Sequence, residues 1–277
     1  MLGQGLNDAW PENRWYAARP GGQTGPVSDD DPLRTAAMLG AADEVGRLLA
    51  AGARPDPPAG GTPLYQAAVR GDTAVVRMLL AAGADPGRES TADGEGLPLC
   101  AAACWGHLGA VVALLDAGAD PDLPEDPGGS AMTALHWACA NDRLAVVAAL
   151  LAQGADPGLR DRSGGTALTR AAERGAAAVA AALLGHGAAP DPRALDLARR
   201  YAGHDIEAEV RTRAGEHAPR DARIGVRREE AEGGGVRVVA EVRDAAGRLR
   251  SETSLGTGHA EIVRLLERHG GGKPSVG

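Results

Sequence analysis

Apolar residues along this chain recur in paired bursts. In TPLYQAAVRGDTAVVRMLLAAGADP, residues 62–86, Leu64, Ala67 and Ala68 mark one side of a first helical stretch. A second stretch carries Val75, Val76, Leu79 and Leu80 at i, i+1, i+4 and i+5, which makes one apolar helix face. Thr62 can cap the first helix, and Pro63 suits its first turn, where a missing N–H costs nothing. Gly71 breaks the pair, Gly83 supplies a left-handed stop, and Pro86 follows it. The pattern predicts two short antiparallel helices joined by a tight turn.

The same pattern returns four times. Leu33, Leu99, Leu135 and Leu168 open equivalent bursts, and with Leu64 they lie roughly 33 residues apart. Each burst reaches an internal turn at Gly40, Gly106, Asp142 or Gly175 and a stop at Gly52, Gly118, Gly154 or Gly187. These segments resemble the ankyrin family's T-P-L-H-x-A-A…G-H-x-x-V-V-x-L-L-L-x-x-G-A-D repeat. The resemblance implies a mainly α solenoid of five to six helix-turn-helix units with β-turn fingers between them. In such an array each unit buries its apolar face on its neighbours.

The array is expected over 29–215. Its fingers fall at 87–96, 121–131 and 161–165. In the first unit Glu44 stands at an apolar position and leaves one flank solvated. Residues 194–215 read as a sixth unit without a finger. Glu207, Glu209 and Arg211 would make its outer helix polar, as a terminal cap requires. Residues 1–28 carry Trp10, Trp15 and Tyr16, which suggest a lid over the first repeat; a flexible arm or a partner-binding peptide is the alternative.

From 216 to 277 the character changes. RDARIGVRREEAEGGG reads as a charged loop. VRVVAEVR, 236–243, alternates as a strand should, and RLRSETSL, 248–255, can return beside it around Asp244 to Gly247. GHAEIVRLLERHG, 258–270, matches the second helix of a repeat whose first helix is missing. A lone hairpin is marginal in water, so hairpin and helix are expected to dock on the end of the array. The tail GGKPSVG is expected to be disordered.

Charge and composition narrow the function. The formal net charge is −8. Residues 1–210 hold 27 acidic and 16 basic side chains, a difference of −11, and 211–277 hold 10 and 13, a difference of +3. An acidic array argues against nucleic acid and favours a basic protein partner. The scarcity of aromatics and excess of Ala fit thin, closely stacked helices. No signal peptide and no membrane-length apolar run is visible, and three cysteines make no disulfide framework, so a cytoplasmic monomer is expected.

Candidate chemistry is sparse. Cys100, Cys104 and His107 have a spacing that zinc accepts, but His107 belongs to the repeat's Gly-His turn and no fourth ligand is near. Cys139 reads as a small buried residue. His136 stands at the family's His position, where the resemblance implies hydrogen bonds within and between repeats. Gly256-Thr257-Gly258 lacks the remaining features of a phosphate loop and fits the Gly-His turn better. No cofactor motif and no acid–base or nucleophile constellation is present, so no enzyme is expected. The resemblance implies a partner lying on the concave face, against finger tips and first helices. The candidate contacts are Val69, Arg70, Cys104, Trp105, Met132, Asn141, Arg162, Ser163, Glu173 and Arg174. Trp105 is the expected anchor, and Trp137 is expected in the core. The expected function is a non-enzymatic adaptor. The alternatives are an inhibitory or targeting subunit of a separate enzyme, or an array that positions a small C-terminal ligand-binding module.

Overall fold

The computed structural model describes residues 31–57, 61–90, 95–125, 129–216, 218–219 and 221–270. The expected lid around Trp10, Trp15 and Tyr16 and the tail GGKPSVG lie outside the described residues. Five helix pairs follow the predicted order: α1 (Pro32–Leu39) with α2 (Ala42–Ala50), α3 (Pro63–Arg70) with α4 (Thr73–Ala81), α5 (Pro98–Trp105) with α6 (Leu108–Asp116), α7 (Ala134–Ala140) with α8 (Leu144–Ala152), and α9 (Ala167–Arg174) with α10 (Ala177–Gly185). First helices pack on first helices of the next unit and second helices on second helices, so the pairs stack in a row.

Local chemistry sets these boundaries. The Asp31 carboxylate accepts from the Leu33 N–H at 3.0 Å, and Thr62 Oγ1 accepts from the Tyr65 N–H at 3.2 Å. Prolines 32, 63 and 98 occupy first turns. Gly40, Gly71, Gly106 and Gly175 turn each first helix with φ between 70° and 81°. The fourth unit places Asp142 there, with φ 55°, in a region that non-glycine residues seldom adopt.

Each unit buries one leucine from its first helix (Leu33, Leu64, Leu99, Leu135 or Leu168), all at or below 4% exposure. Losing such a leucine to alanine costs about 2–5 kcal/mol. Alanine pairs on the same helices, such as Ala67–Ala68 and Ala171–Ala172, are fully buried and let neighbouring helices approach. Cys139 fills the second of these slots in the fourth unit and is fully buried. In the first unit only Val45 of α2 is fully buried, and Glu44 pairs with Arg47 on the outer side.

The end of the array differs from the expectation. After α11 (Pro192–Ala202) the chain leaves the stack. It forms α12 (Ile206–Glu216), then β1 (Arg223–Glu230), β2 (Val236–Arg243) and β3 (Leu249–Gly256), and returns as α13 (His259–Gly270). The outer helix paired with α11 is α13, which packs on both α11 and α10. Ile262 and Leu266 join the main core. His259 sets its ring over Gly175, as His107 does over Gly71 three units earlier. The sixth unit is thus interrupted, and 203–257 is an insertion within it. The expected division at 215/216 cuts through this insertion, and α12 is not the outer helix of the sixth unit. Its apolar positions, Ile206, Val210 and Ala214, are spaced by four and face the sheet.

The insertion has its own core of Val210, Ala214, Val238, Ala240, Val242 and Leu255. The sheet order is β1-β2-β3, all antiparallel, with Val226 opposite Ala240 and Val238 opposite Leu255. The segment expected as a charged loop contains β1. Its backbone pairs along β2, and its charges find cross-strand partners: Arg227 Nε donates to Glu241 at 2.9 Å and Arg237 Nε to Glu229 at 2.9 Å. The expected hairpin of β2 and β3 is present, with the Asp244 carboxylate accepting from the N–H groups of Ala246 and Arg248 at 3.0 Å each.

Polar contacts seat the insertion on the array. Arg174 donates to the Ser254 carbonyl and hydroxyl at 2.7 Å each. The Gly258 N–H donates to the Gly175 carbonyl at 3.1 Å. A Cβ on Gly175 or Gly256 would collide with the other's backbone. Glu232, in the β1–β2 turn, accepts from the Ala145 N–H at 3.0 Å. It caps α8, which has no side-chain cap of its own, and its charge suits the positive end of that helix. Among the described residues no helix is long and apolar enough to cross a membrane.

Candidate functional site

The first helices and fingers build one face. Backbone hydrogen bonds close the bases of the fingers. Ser90 N–H donates to the Gly96 carbonyl at 2.9 Å, Glu125 N–H to Met132 at 2.9 Å, and Asp161 N–H to Gly165 at 2.9 Å. Glu95 joins the first three units by accepting from Arg34 at 2.9 Å and from Gln66 and Ser90. Arg162 N–H donates to the Ser130 carbonyl at 2.9 Å, tying two fingers together.

In the fifth unit Arg170 is 7% exposed and lies between two carboxylates. Its Nε donates to Asp161 at 2.9 Å, Nη1 to Glu173 at 2.6 Å and Nη2 to Ser163 Oγ at 2.9 Å. Burial opposes ionisation of Asp161, but the bonds from Arg170 and Ser163 win and hold its carboxyl below the usual carboxylate range. His136 is fixed in a comparable way. Its Nε2 lies 3.3 Å from the Gly165 carbonyl, so Nε2 carries the proton and Nδ1 accepts from the Thr133 N–H at 3.3 Å. Burial lowers its pKa, so the ring is neutral at pH 7. It joins the fourth unit to the next finger, as the repeat resemblance implies.

The ten candidate contact residues separate into two groups. Arg70, Arg162 and Ser163 are exposed, and Val69, Cys104 and Trp105 are half-buried. The other four are buried, which corrects the expectation of an open surface there. Met132 is 5% exposed and bridges to Glu125 in its finger. Asn141 is 8% exposed and donates to the Trp137 carbonyl at 2.9 Å. Glu173 is held by Arg170, and Arg174 anchors the insertion through Ser254. Glu173 is thus held within its own helix, and the insertion covers Arg174.

Trp137, expected in the core, is half-buried. It lines a shallow notch with Trp105, Tyr65, Cys104 and Glu125. Its column on the first helices holds Thr35, Gln66, Ala101 and Arg170 in the other units, and the three polar residues among them mark it as outward-facing. That column was the available signal. The Trp137 Nε1 is shielded and has no hydrogen-bond partner among the described residues.

The notch contains no metal-binding set. His107 Nε2 lies 3.0 Å from the Val69 carbonyl, and Cys100 Sγ lies 3.9 Å from the Met132 carbonyl. Burial pushes the Cys100 thiol well up, so it is not a thiolate. Among the described residues no group of three His, Cys, Asp or Glu side chains is arranged to hold a metal ion.

The family comparison agrees with this geometry. A sequence profile described as ankyrin repeats in three copies matches residues 33–125 and again 99–194. A search of curated proteins finds no match. Ankyrin repeats serve generally in protein–protein interaction, so the array is an interaction module. The profile stops within α11, before the insertion begins. The two matches together span 33–194, more than half of the chain, and the chain belongs to the ankyrin-repeat family.

Proposed function

We propose that this protein is a non-enzymatic scaffold that binds a basic protein partner on the first-helix face of its second to fifth units. The observation that carries the reading is the tryptophan pair, Trp105 and Trp137, partly exposed at one notch beside Tyr65 and Glu125. Large aromatic side chains at such a position are the usual energetic anchors of an interface. The hydrogen-bonded finger bases and the Asp161–Arg170–Glu173 network support the same reading. A surface already held in shape has little ordering cost on binding. The acidic balance of residues 1–210 favours a positively charged partner.

Affinity capture from native lysate, with wild type and Trp105→Ala side by side, tests this. The expected result is a stoichiometric protein partner whose affinity falls by roughly thirty-fold, about 2 kcal/mol, in the variant. The melting temperature should hardly change, because Trp105 is half-exposed. Equal capture by both proteins, or a large loss of melting temperature with capture intact, would make Trp105 a packing residue.

A further inference from the structure

A second site lies at the seam between the insertion and the array. It is a cleft of about 330 Å³ that shares no residue with the tryptophan notch. Ala177, Ala178 and Ala181 of α10 and Leu265 of α13 line it with apolar surface. The glycine turn of Gly233 to Gly235 also lines it. Gly233 has φ 94°, and a Cβ there would lie 2.7 Å from the Ala178 methyl, so the turn closes on the array only as glycine.

Three carboxylates line the cleft: Asp142, Glu232 and Glu261. Glu232 is occupied in capping α8, and Glu261 pairs with Arg264 at 3.0 Å and Arg268 at 3.4 Å. Asp142 differs. It is 7% exposed, and its carboxylate makes no hydrogen bond or ion pair among the described residues. Three cations lie near enough to act on it through space, but each donates to another group: Arg143 to the Cys104 carbonyl, Arg174 to Ser254 and Arg237 to Glu229. Asp142 also holds the left-handed turn that four other units give to glycine. A buried carboxylate with no direct hydrogen-bond partner, in a backbone conformation that glycine adopts more readily, costs stability where it stands and leaves its oxygens open to the cleft.

We propose that this cleft binds an alkylammonium group, its charged head on the Asp142 carboxylate and its methylenes along the alanine face of α10. A free diamine and a lysine side chain of another polypeptide present this chemistry equally. The site exists only where the insertion closes on the fourth and fifth units, so the interrupted last unit gives this array a ligand site that a plain stack lacks. The partial burial of Asp142 at the floor of the cleft strengthens its attraction for a cation.

Calorimetric titration of the full chain at pH 7.5 tests the proposal. The probes are 1,5-diaminopentane and Nα-acetyl-lysine N-methylamide, with 1-pentanol and matched sodium chloride as controls. The expected result is saturable one-site binding of at least one amine and none of either control. Asp142→Asn and Asp142→Gly should each weaken that binding at least tenfold. Both variants are expected to fold, since asparagine and glycine accept the left-handed turn. Preference for the diamine would identify a free amine as ligand, and preference for the lysine amide a partner's side chain. No saturable amine binding by wild type, or equal binding by both variants, overturns the proposal, and neither result touches the Trp105 reading.

Discussion

Replacing Asp142 with asparagine should stabilise the protein, and the gain should depend on pH. Burial pushes the Asp142 carboxyl up from 3.8 to about 6, with Arg174, Arg237 and Arg143 pulling it back and Glu232 adding to the rise. In the unfolded chain the group returns to its ordinary value. Between about pH 4 and pH 6 the folded state therefore holds a proton that the unfolded state has released. Stability falls as pH rises through that window, and the full cost is present above it. Two pKa units at about 1.4 kcal/mol each give about 3 kcal/mol as an upper figure. Asparagine keeps the shape and tolerates φ near 55°, so it removes the charge without relieving the backbone. Thermal unfolding of both proteins from pH 3.5 to 7.5 reads the difference directly. Below pH 4 the two should melt together. At pH 7.5 the variant should melt higher, by on the order of 6–12 °C if the full 3 kcal/mol is realised. Taking the difference cancels His259, whose buried ring has its pKa lowered to about 4 and weakens both proteins alike as pH falls below 6.5. A variant no more stable at pH 7.5, or a gap that stays constant across the range, would refute the reasoning.

Two further outcomes follow from the packing. Deleting residues 203–257, so that Ala202 runs into Gly258, should leave a folded helical array that has lost its sheet signal in circular dichroism. Ending the chain at 215 instead removes α13 and the burial of Ile262 and Leu266, which should cost roughly 3–6 kcal/mol; equal melting of the two proteins would contradict the interrupted unit. Ellman's reagent should label Cys104 in the native protein, and Cys100 and Cys139 only on unfolding, because both are fully buried and their thiols are pushed up.

The array was legible because its signals are local. Leucine spacing, first-turn prolines and glycine stops each act within a few residues, and every unit repeats them. Even GHAEIVRLLERHG showed itself as a second helix. What the sequence did not show was its partner: α11 lies across the whole insertion, and the nearer candidate, 203–215, carries the same Gly-His opening. The polar face of α12 looked like a solvated cap, whereas Ile206, Val210 and Ala214 cover a sheet. β1 was missed because Ile224 and Val226 are its only large apolar residues, and its pairing depends on charges from β2. At the candidate site, Trp105 stood out as an anomaly in a solvent-facing slot. Trp137 did not, because its column was assigned to the core. The burial of Arg174 depends on its contact with Ser254, which is far away in sequence.

Site-directed photo-crosslinking tests the binding face most directly. Benzoylphenylalanine placed at Trp105, on the first-helix face, is compared in native lysate with the same group at Arg77, exposed on α4. The expected result is one dominant protein adduct from position 105 and none from position 77. Adducts from position 77 with none from position 105 would place the partner on the opposite side of the array and contradict the proposed function.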